Sequence, residues 1–141
     1  MKDIKKFLVC GGGMMGSAIA QILAGLDGAE VTVYDVFPVD VEAKVRNNTK
    51  LLVEKGIMTE ADVDAIVGKI SFTQDMQSEG VKNAQMVVEC VLEDMEMKQN
   101  LFAQLEEVVA EDTIFCTNTS VMSPTEISSK CKHKERLCGT H

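Results

Sequence analysis

A short apolar stretch, Ile4 to Cys10, runs straight into Gly11, Gly12 and Gly13, and after Met14, Met15 and Gly16 a helical pattern takes over. This Gly-x-Gly-x-x-Gly junction constrains the fold more than any other feature, because it asks for a strand that passes into a helix through a turn stripped of side chains. Met14 to Leu26 reads as that helix, with Ile19, Ile22, Leu23 and Leu26 spaced three or four apart on an apolar face and Gly28 as a stop. Val31 to Tyr34 then predicts a second strand, closed by Asp35. Strand, turn, helix and strand in this order form a crossover unit whose strands pair in parallel.

The alternation continues to the end of the chain. Pro38 suits the first turn of a helix reaching about Lys55, and Thr59-x-x-Asp62 is a capping box for a shorter one. Ile70 to Thr73, Met86 to Cys90 and Thr113 to Thr117 predict three more strands. Between the last two, a helix over about Glu96 to Ala110 turns Met97, Leu101, Leu105 and Val108 toward a core. Ser123-Pro124-Thr125-Glu126 reads as a helix start, with Ser123 capping and Glu126 reaching back, and the helix runs to about Lys130. Arg136 to Thr140 predicts a sixth strand. The whole is expected to be one α/β domain over residues 1–141, a doubly wound parallel sheet with helices on both faces.

Composition narrows the partners. A chain that is 45% apolar and 26% charged is neither disordered nor fibrous. Fourteen Lys and Arg against twenty-two Asp and Glu leave a formal charge of −8, the wrong sign for nucleic acid or an anionic membrane surface. The three glycines and Gln21 interrupt the N-terminal apolar stretch, so no run reaches the roughly twenty residues that a spanning helix needs. Five cysteines, at positions 10, 90, 116, 131 and 138, form no Cys-x-x-Cys pair, and the expectation is a cytoplasmic protein with reduced thiols. Cys131, His133, Cys138 and His141 are zinc-ligand types at spacings that suit zinc poorly, so no metal is expected.

The glycines have separate physical roles in a dinucleotide site. Gly11 permits the tight turn, Gly13 lets backbone approach a pyrophosphate, and Gly16 allows the helix to pack closely on the strand. With Gly12 and the backbone amides of Met14 and Met15 they line a phosphate turn at a helix N-terminus, where free N–H groups and the helix dipole favour an anion. Asp35 lies nineteen residues beyond Gly16 at a strand end, where a carboxylate accepts both ribose hydroxyls; otherwise it is a helix cap or a solvated loop acid. A carboxylate there repels a 2′-phosphate, and Val36 to Val39 supply no Arg to receive one, so NAD is expected over NADP.

Four separated segments, GGGMMGSAIAQILA, VVECVLEDMEMKQNLFAQLE, TIFCTNTS and RLCGTH, together resemble the N-terminal domain of the 3-hydroxyacyl-CoA dehydrogenase family. One departure is Ala18, where many members have glycine, a change beyond the pyrophosphate turn. The resemblance implies a Rossmann-type fold, NAD as cofactor, and interconversion of 3-hydroxyacyl-CoA with 3-ketoacyl-CoA. It places nicotinamide-side contacts on Glu93 and Lys98, a hydroxyl-binding serine on Ser120 and the catalytic histidine on His141. By type and position alone, Glu93 and Lys98 read equally as solvated charges near a helix start, and Ser120 as a turn residue. In the family, a glutamate that orients the histidine, a substrate-binding asparagine and the helical dimerisation domain all follow the histidine. The expectation is thus an NAD-binding half, inactive by itself, of a longer homodimeric enzyme acting on an acyl-CoA. A dehydrogenase of carnitine or of a hydroxy acid without CoA is the alternative within the family, and a non-catalytic NAD-binding module the alternative outside it.

Overall fold

The computed structural model describes residues 2–141. Six strands make one sheet: β1 (Lys6–Cys10), β2 (Glu30–Tyr34), β3 (Ile70–Thr73), β4 (Met86–Glu89), β5 (Ile114–Thr117) and β6 (Leu137–Gly139). Every neighbouring pair is parallel, in the spatial order β3-β2-β1-β4-β5-β6. This is the doubly wound order, in which the chain first builds outward from β1 in one direction and then crosses back to build in the other.

Alternating side chains of the strands feed two separate cores. Phe7 and Val9 of β1, with Val31 and Val33 of β2, pack under α1 (Met14–Ala24), α2 (Val41–Glu54) and α3 (Glu60–Val67). Leu8 and Cys10 point the other way, joining Val87 and Phe115 beneath α4 (Glu79–Lys82), α5 (Met95–Glu106) and α6 (Pro124–Ile127). A sheet covered on both faces explains why its strands are near-continuous apolar runs and not alternating ones.

The strands lie where they were expected, with ends moved by one or two residues. Residues 4 and 5 fall outside β1, and at the strand's start the amides of Lys5 and Lys6 donate to the Gln85 side chain at 2.8 and 3.0 Å. Larger corrections concern helices. The expected apolar face of α1 is only half the buried one: Ile19 and Leu23 pack against the core, but Ser17, Ala20 and Ala24 are the residues most deeply buried, and Ile22 is 69% exposed. Leu26 lies beyond the helix, which ends at Ala24 with Gly25 as its C-cap. Small residues are needed on that face because Gly16 holds α1 so close to β1. Pro38 precedes α2, whose N-cap is Asp40 accepting from the Ala43 amide at 3.0 Å. The Thr59–Asp62 capping box forms as expected. Ser123 starts α6 without a side-chain cap, its carbonyl accepting from Ile127 instead, and the last residues to Lys130 tighten into a 3-10 turn. Helix α5 ends at Glu106, four residues early, with Met97 44% exposed and Phe102 buried on its core face. Helix α4 was not expected; four residues are too few to show a period.

Candidate active site at the carboxyl edge of the sheet

The strand order reverses between β1 and β4, so the loops after these two strands diverge and leave a crevice at the carboxyl edge, where doubly wound sheets bind their ligands. The glycine turn forms one lip. Gly11 has φ +103°, and a β-carbon there would sit 2.7 Å from the Cys90 carbonyl oxygen at the end of β4. Gly16 is more constrained still: a β-carbon would overlap the Gly11 carbonyl oxygen. Gly13, in contrast, faces open space, with no atom within 4 Å of where a β-carbon would be. Helix α1 begins beside it with no side-chain cap and no acidic residue in its first turn, leaving amides at Met14, Met15 and Gly16 without a capping side chain. Met14 is 86% exposed, so its side chain adds nothing to the core and its place is set by the turn.

Asp35 locks onto this turn. One carboxylate oxygen accepts from the Gly12 amide at 2.8 Å and the other from the Phe37 amide at 3.0 Å. The Gly11 amide donates to the Tyr34 carbonyl at 2.8 Å, so β2 and the turn are joined at two adjacent points. Between this side and α5 lies a cleft of about 430 Å³, lined by Asp35, Val36, Val91, Met97 and Leu101 among others. Its surface is mostly apolar, with the Asp35 carboxylate after β2 and Asp94 and Glu96 at the start of α5 among its polar lining.

The second lip, after β4 and β5, is a chain of charges. Lys98 is 1% exposed, and its ammonium lies 2.6 Å from the Glu89 carboxylate, itself fully buried, and 3.3 Å from Glu93. Glu89 is satisfied on every side: Oε1 also accepts from the Val91 amide at 2.7 Å, and Oε2 accepts from the Thr117 hydroxyl at 2.6 Å. Lys98 further donates to the Val91 carbonyl at 3.3 Å. Glu93, half exposed, accepts from the Thr119 hydroxyl at 2.6 Å. That hydroxyl, followed by the Lys98 ammonium, holds the Glu93 carboxyl below the usual carboxylate range. Lys98 and Glu93 are therefore members of one network and not independent solvated charges. Glu89 was missed by sequence reasoning, although an acid closing the buried run Met-Val-Val was the visible signal.

Ser120 and His141 lie at the same edge. Ser120 follows β5 by three residues and is exposed, beside the loop pinned by Thr119, whose oxygen accepts from the Met122 amide at 3.1 Å. His141 follows β6 by two residues, on a segment tied to β5 by the Thr140 amide donating to Thr117 at 3.0 Å. Its charge is near enough to contribute to lowering Glu93. The cysteines offer no competing nucleophile near the turn: burial pushes the Cys10 thiol well up and Cys90 up to about 12. Among the described residues, no three His, Cys, Asp or Glu side chains converge as a metal site.

Residues 6–141 match the family described as 3-hydroxyacyl-CoA dehydrogenase, NAD binding domain. The chain belongs to this family. A Bacillus subtilis protein named "Probable 3-hydroxybutyryl-CoA dehydrogenase" is 36% identical over 142 residues, covering 99% of this chain and 48% of that protein. The crystal structure of 3-hydroxybutyryl-CoA dehydrogenase from Escherichia coli superposes with a TM-score of 0.90 at 29% identity, over 99% of this chain and 30% of that one. The (S)-3-hydroxybutyryl-CoA dehydrogenase of Ralstonia eutropha gives 0.89 at 27% identity, over 99% of this chain and 49% of that one. The chain spans about half the length, or less, of these relatives. Its cofactor is NAD. The residues present fit that group: the uncapped helix start and the bare face of Gly13 suit a pyrophosphate, and the Asp35 carboxylate lining a mostly apolar cleft suits an adenosine without a 2′-phosphate.

Proposed function

We propose that this chain is the NAD-binding half of an oxidoreductase that interconverts 3-hydroxyacyl-CoA and 3-ketoacyl-CoA. The observation that carries this reading is the meeting, at one sheet edge, of the glycine turn after β1, the Glu89–Lys98–Glu93–Thr119 network, and the strand ends bearing Ser120 and His141. In this reading the Gly11–Gly16 turn, with the amides of Met14 and Met15, holds the pyrophosphate, and Asp35 takes the adenosine ribose. Glu93 and Lys98 face the nicotinamide side, with Glu93 the member open to a ligand because Lys98 is enclosed by Glu89, Glu93 and the Val91 carbonyl.

NAD, when bound, supplies the hydride acceptor. The protein's part is to handle the proton and the oxygen. Imidazole is a side-chain type that gives and takes a proton near neutral pH, which suits His141 to remove the proton of a 3-hydroxyl in one direction and return it in the other. Ser120 donates a hydrogen bond to the same oxygen. The exposed Met14, Leu92 and Val121 around this edge are the surface on which the acyl-CoA, and a helical domain from the relatives' unmatched length, close. Such a domain also carries the homodimer contact. The free, largely buried thiols support a reducing cytoplasm.

The test is direct. NADH titrated into this chain should show enhanced nicotinamide fluorescence, while the same chain should oxidise NADH with acetoacetyl-CoA at a negligible rate. A chain extended through a second domain should turn over, and His141→Gln should abolish that turnover without loss of NADH binding. Full activity in the extended His141→Gln form would overturn the assignment.

A further inference from the structure

Five cysteines are present and all are free, yet two of them are not isolated. Cys116 of β5 and Cys138 of β6 stand directly opposite each other in the parallel register, so both side chains emerge on the same face. Their sulfurs are 3.7 Å apart. Neighbouring strands lie about 4.7–4.9 Å apart, which falls inside the Cα separation of roughly 4.4–6.8 Å that a disulfide tolerates. Exposure divides the pair: Cys138 is open to solvent, whereas Cys116 is 2% exposed.

We propose that Cys116 and Cys138 are a redox modification site that closes to an intrachain disulfide when a hydroperoxide reaches Cys138. The Cys138 thiolate attacks a peroxide oxygen; an S–O bond forms, the O–O bond breaks, and one water leaves after protonation. The Cys116 sulfur then attacks the Cys138 sulfur, forming the S–S bond and breaking the S–O bond. The departing hydroxide takes the remaining thiol proton as a second water. Two thiols have given up two electrons, and one hydrogen peroxide has become two waters. A small thiol reverses the reaction by exchange, as expected of a labile disulfide in a reducing compartment.

The order of events follows from access. The thiolate is the species that attacks peroxide, and burial with the neighbouring Cys138 pushes the Cys116 thiol up to about 12. Cys116 therefore acts second, as the resolving thiol held in place by its strand. Closure draws the sulfurs from 3.7 Å to the roughly 2.05 Å of a disulfide. That contraction falls between the two strands that end in the segments of Ser120 and His141.

The whole chain, fully reduced and then exposed to hydrogen peroxide, is assayed for thiols after unfolding and mapped by peptide mass spectrometry. The expected result is a fall from five thiols to three, with one peptide pair linked through Cys116 and Cys138 and the linkage reversed by dithiothreitol. Cys138→Ser should keep all four of its thiols under the same exposure. Cys116→Ala should leave a Cys138 sulfenic acid trapped by dimedone, a readout that is independent of the disulfide. Loss of thiols at other positions, a disulfide between two chains, or equal thiol loss in wild type and Cys138→Ser overturns the proposal.

Discussion

Replacing Lys98 by Met keeps the unbranched shape of the side chain, one atom shorter, and removes the charge and its hydrogen bonds. The ammonium is 1% exposed and 2.6 Å from Glu89, which is fully buried, so the variant leaves a carboxylate inside the protein with its cation gone. Breaking a buried pair from one side costs about 3–5 kcal/mol. Glu89 keeps the Val91 amide at 2.7 Å and the Thr117 hydroxyl at 2.6 Å, which places the expected loss at the lower end, about 3 kcal/mol. With a urea slope of about 2 kcal/mol/M, the unfolding midpoint should fall by roughly 1.5 M, followed by far-ultraviolet circular dichroism. The double variant Glu89→Gln/Lys98→Met removes both charges and should recover part of the loss, because a neutral replacement of a buried pair is far less costly than half of one. An unfolding free energy for Lys98→Met within about 0.5 kcal/mol of wild type, the range of an ordinary surface substitution, would refute the claim that this network holds the β4, β5 and α5 ends together.

Gly16→Ala should destabilise the domain by more than about 1–3 kcal/mol, the usual penalty for overpacking, since its β-carbon has no position that avoids the Gly11 carbonyl; thermal unfolding measures it. Gly13→Ala meets no neighbour, so it should cost under about 1 kcal/mol and yet weaken NADH binding, the two effects separating in paired melts and titrations. For Glu93, a folded-state pKa held below the ordinary value of 4.5 means a stabilising contribution that is present above pH 4.5 and lost as pH falls through the depressed value. The stability gap between wild type and Glu93→Gln should therefore be constant from neutral pH to about 4.5 and shrink below it, as read from denaturant midpoints across acid pH.

What the chain discloses before folding is mostly what repeats or what has no substitute. The six strands are legible because Val, Ile and Phe runs alternate with helical spacing, and a sheet covered on both faces wants such runs. Gly11, Gly13 and Gly16 are legible because their spacing matches separate backbone needs, each visible in what a β-carbon would meet. The buried face of α1 is only partly legible, because hydrophobic spacing finds Ile19 and Leu23 but also selects the exposed Ile22, while the geometry buries the small side chains Ser17, Ala20 and Ala24 most deeply. A helical wheel counts apolarity, whereas the Gly16–Gly11 contact brings the helix in so close that volume decides. Glu89 escapes for a different reason: its partners Lys98 and Thr117 are nine and twenty-eight positions away, and only the parallel pairing of β4 with β5 sets Glu89 opposite Thr117.

The same topology divides the site into halves that can be tested apart. Asp35 follows β2, on one side of β1, and bonds to the Gly12 amide; Glu93 follows β4, on the other side, and bonds to Thr119 after β5. A dinucleotide crossing the crevice would then meet Asp35 with its adenosine and Glu93 with its nicotinamide. Charge-assisted hydrogen bonds contribute about 1.5–3 kcal/mol, and every 1.4 kcal/mol is tenfold in affinity, so Asp35→Ala should weaken NADH by at least about tenfold. ADP-ribose, which shares that end, should weaken by the same factor. Glu93→Gln should weaken NADH while leaving ADP-ribose affinity where it was, because the truncated ligand never reaches β4. The net charge of −8 opposes both ligands alike and cannot produce such a split, so a variant that lost affinity for both in equal measure at Glu93 would place that residue on the adenosine side or make its effect one of overall field.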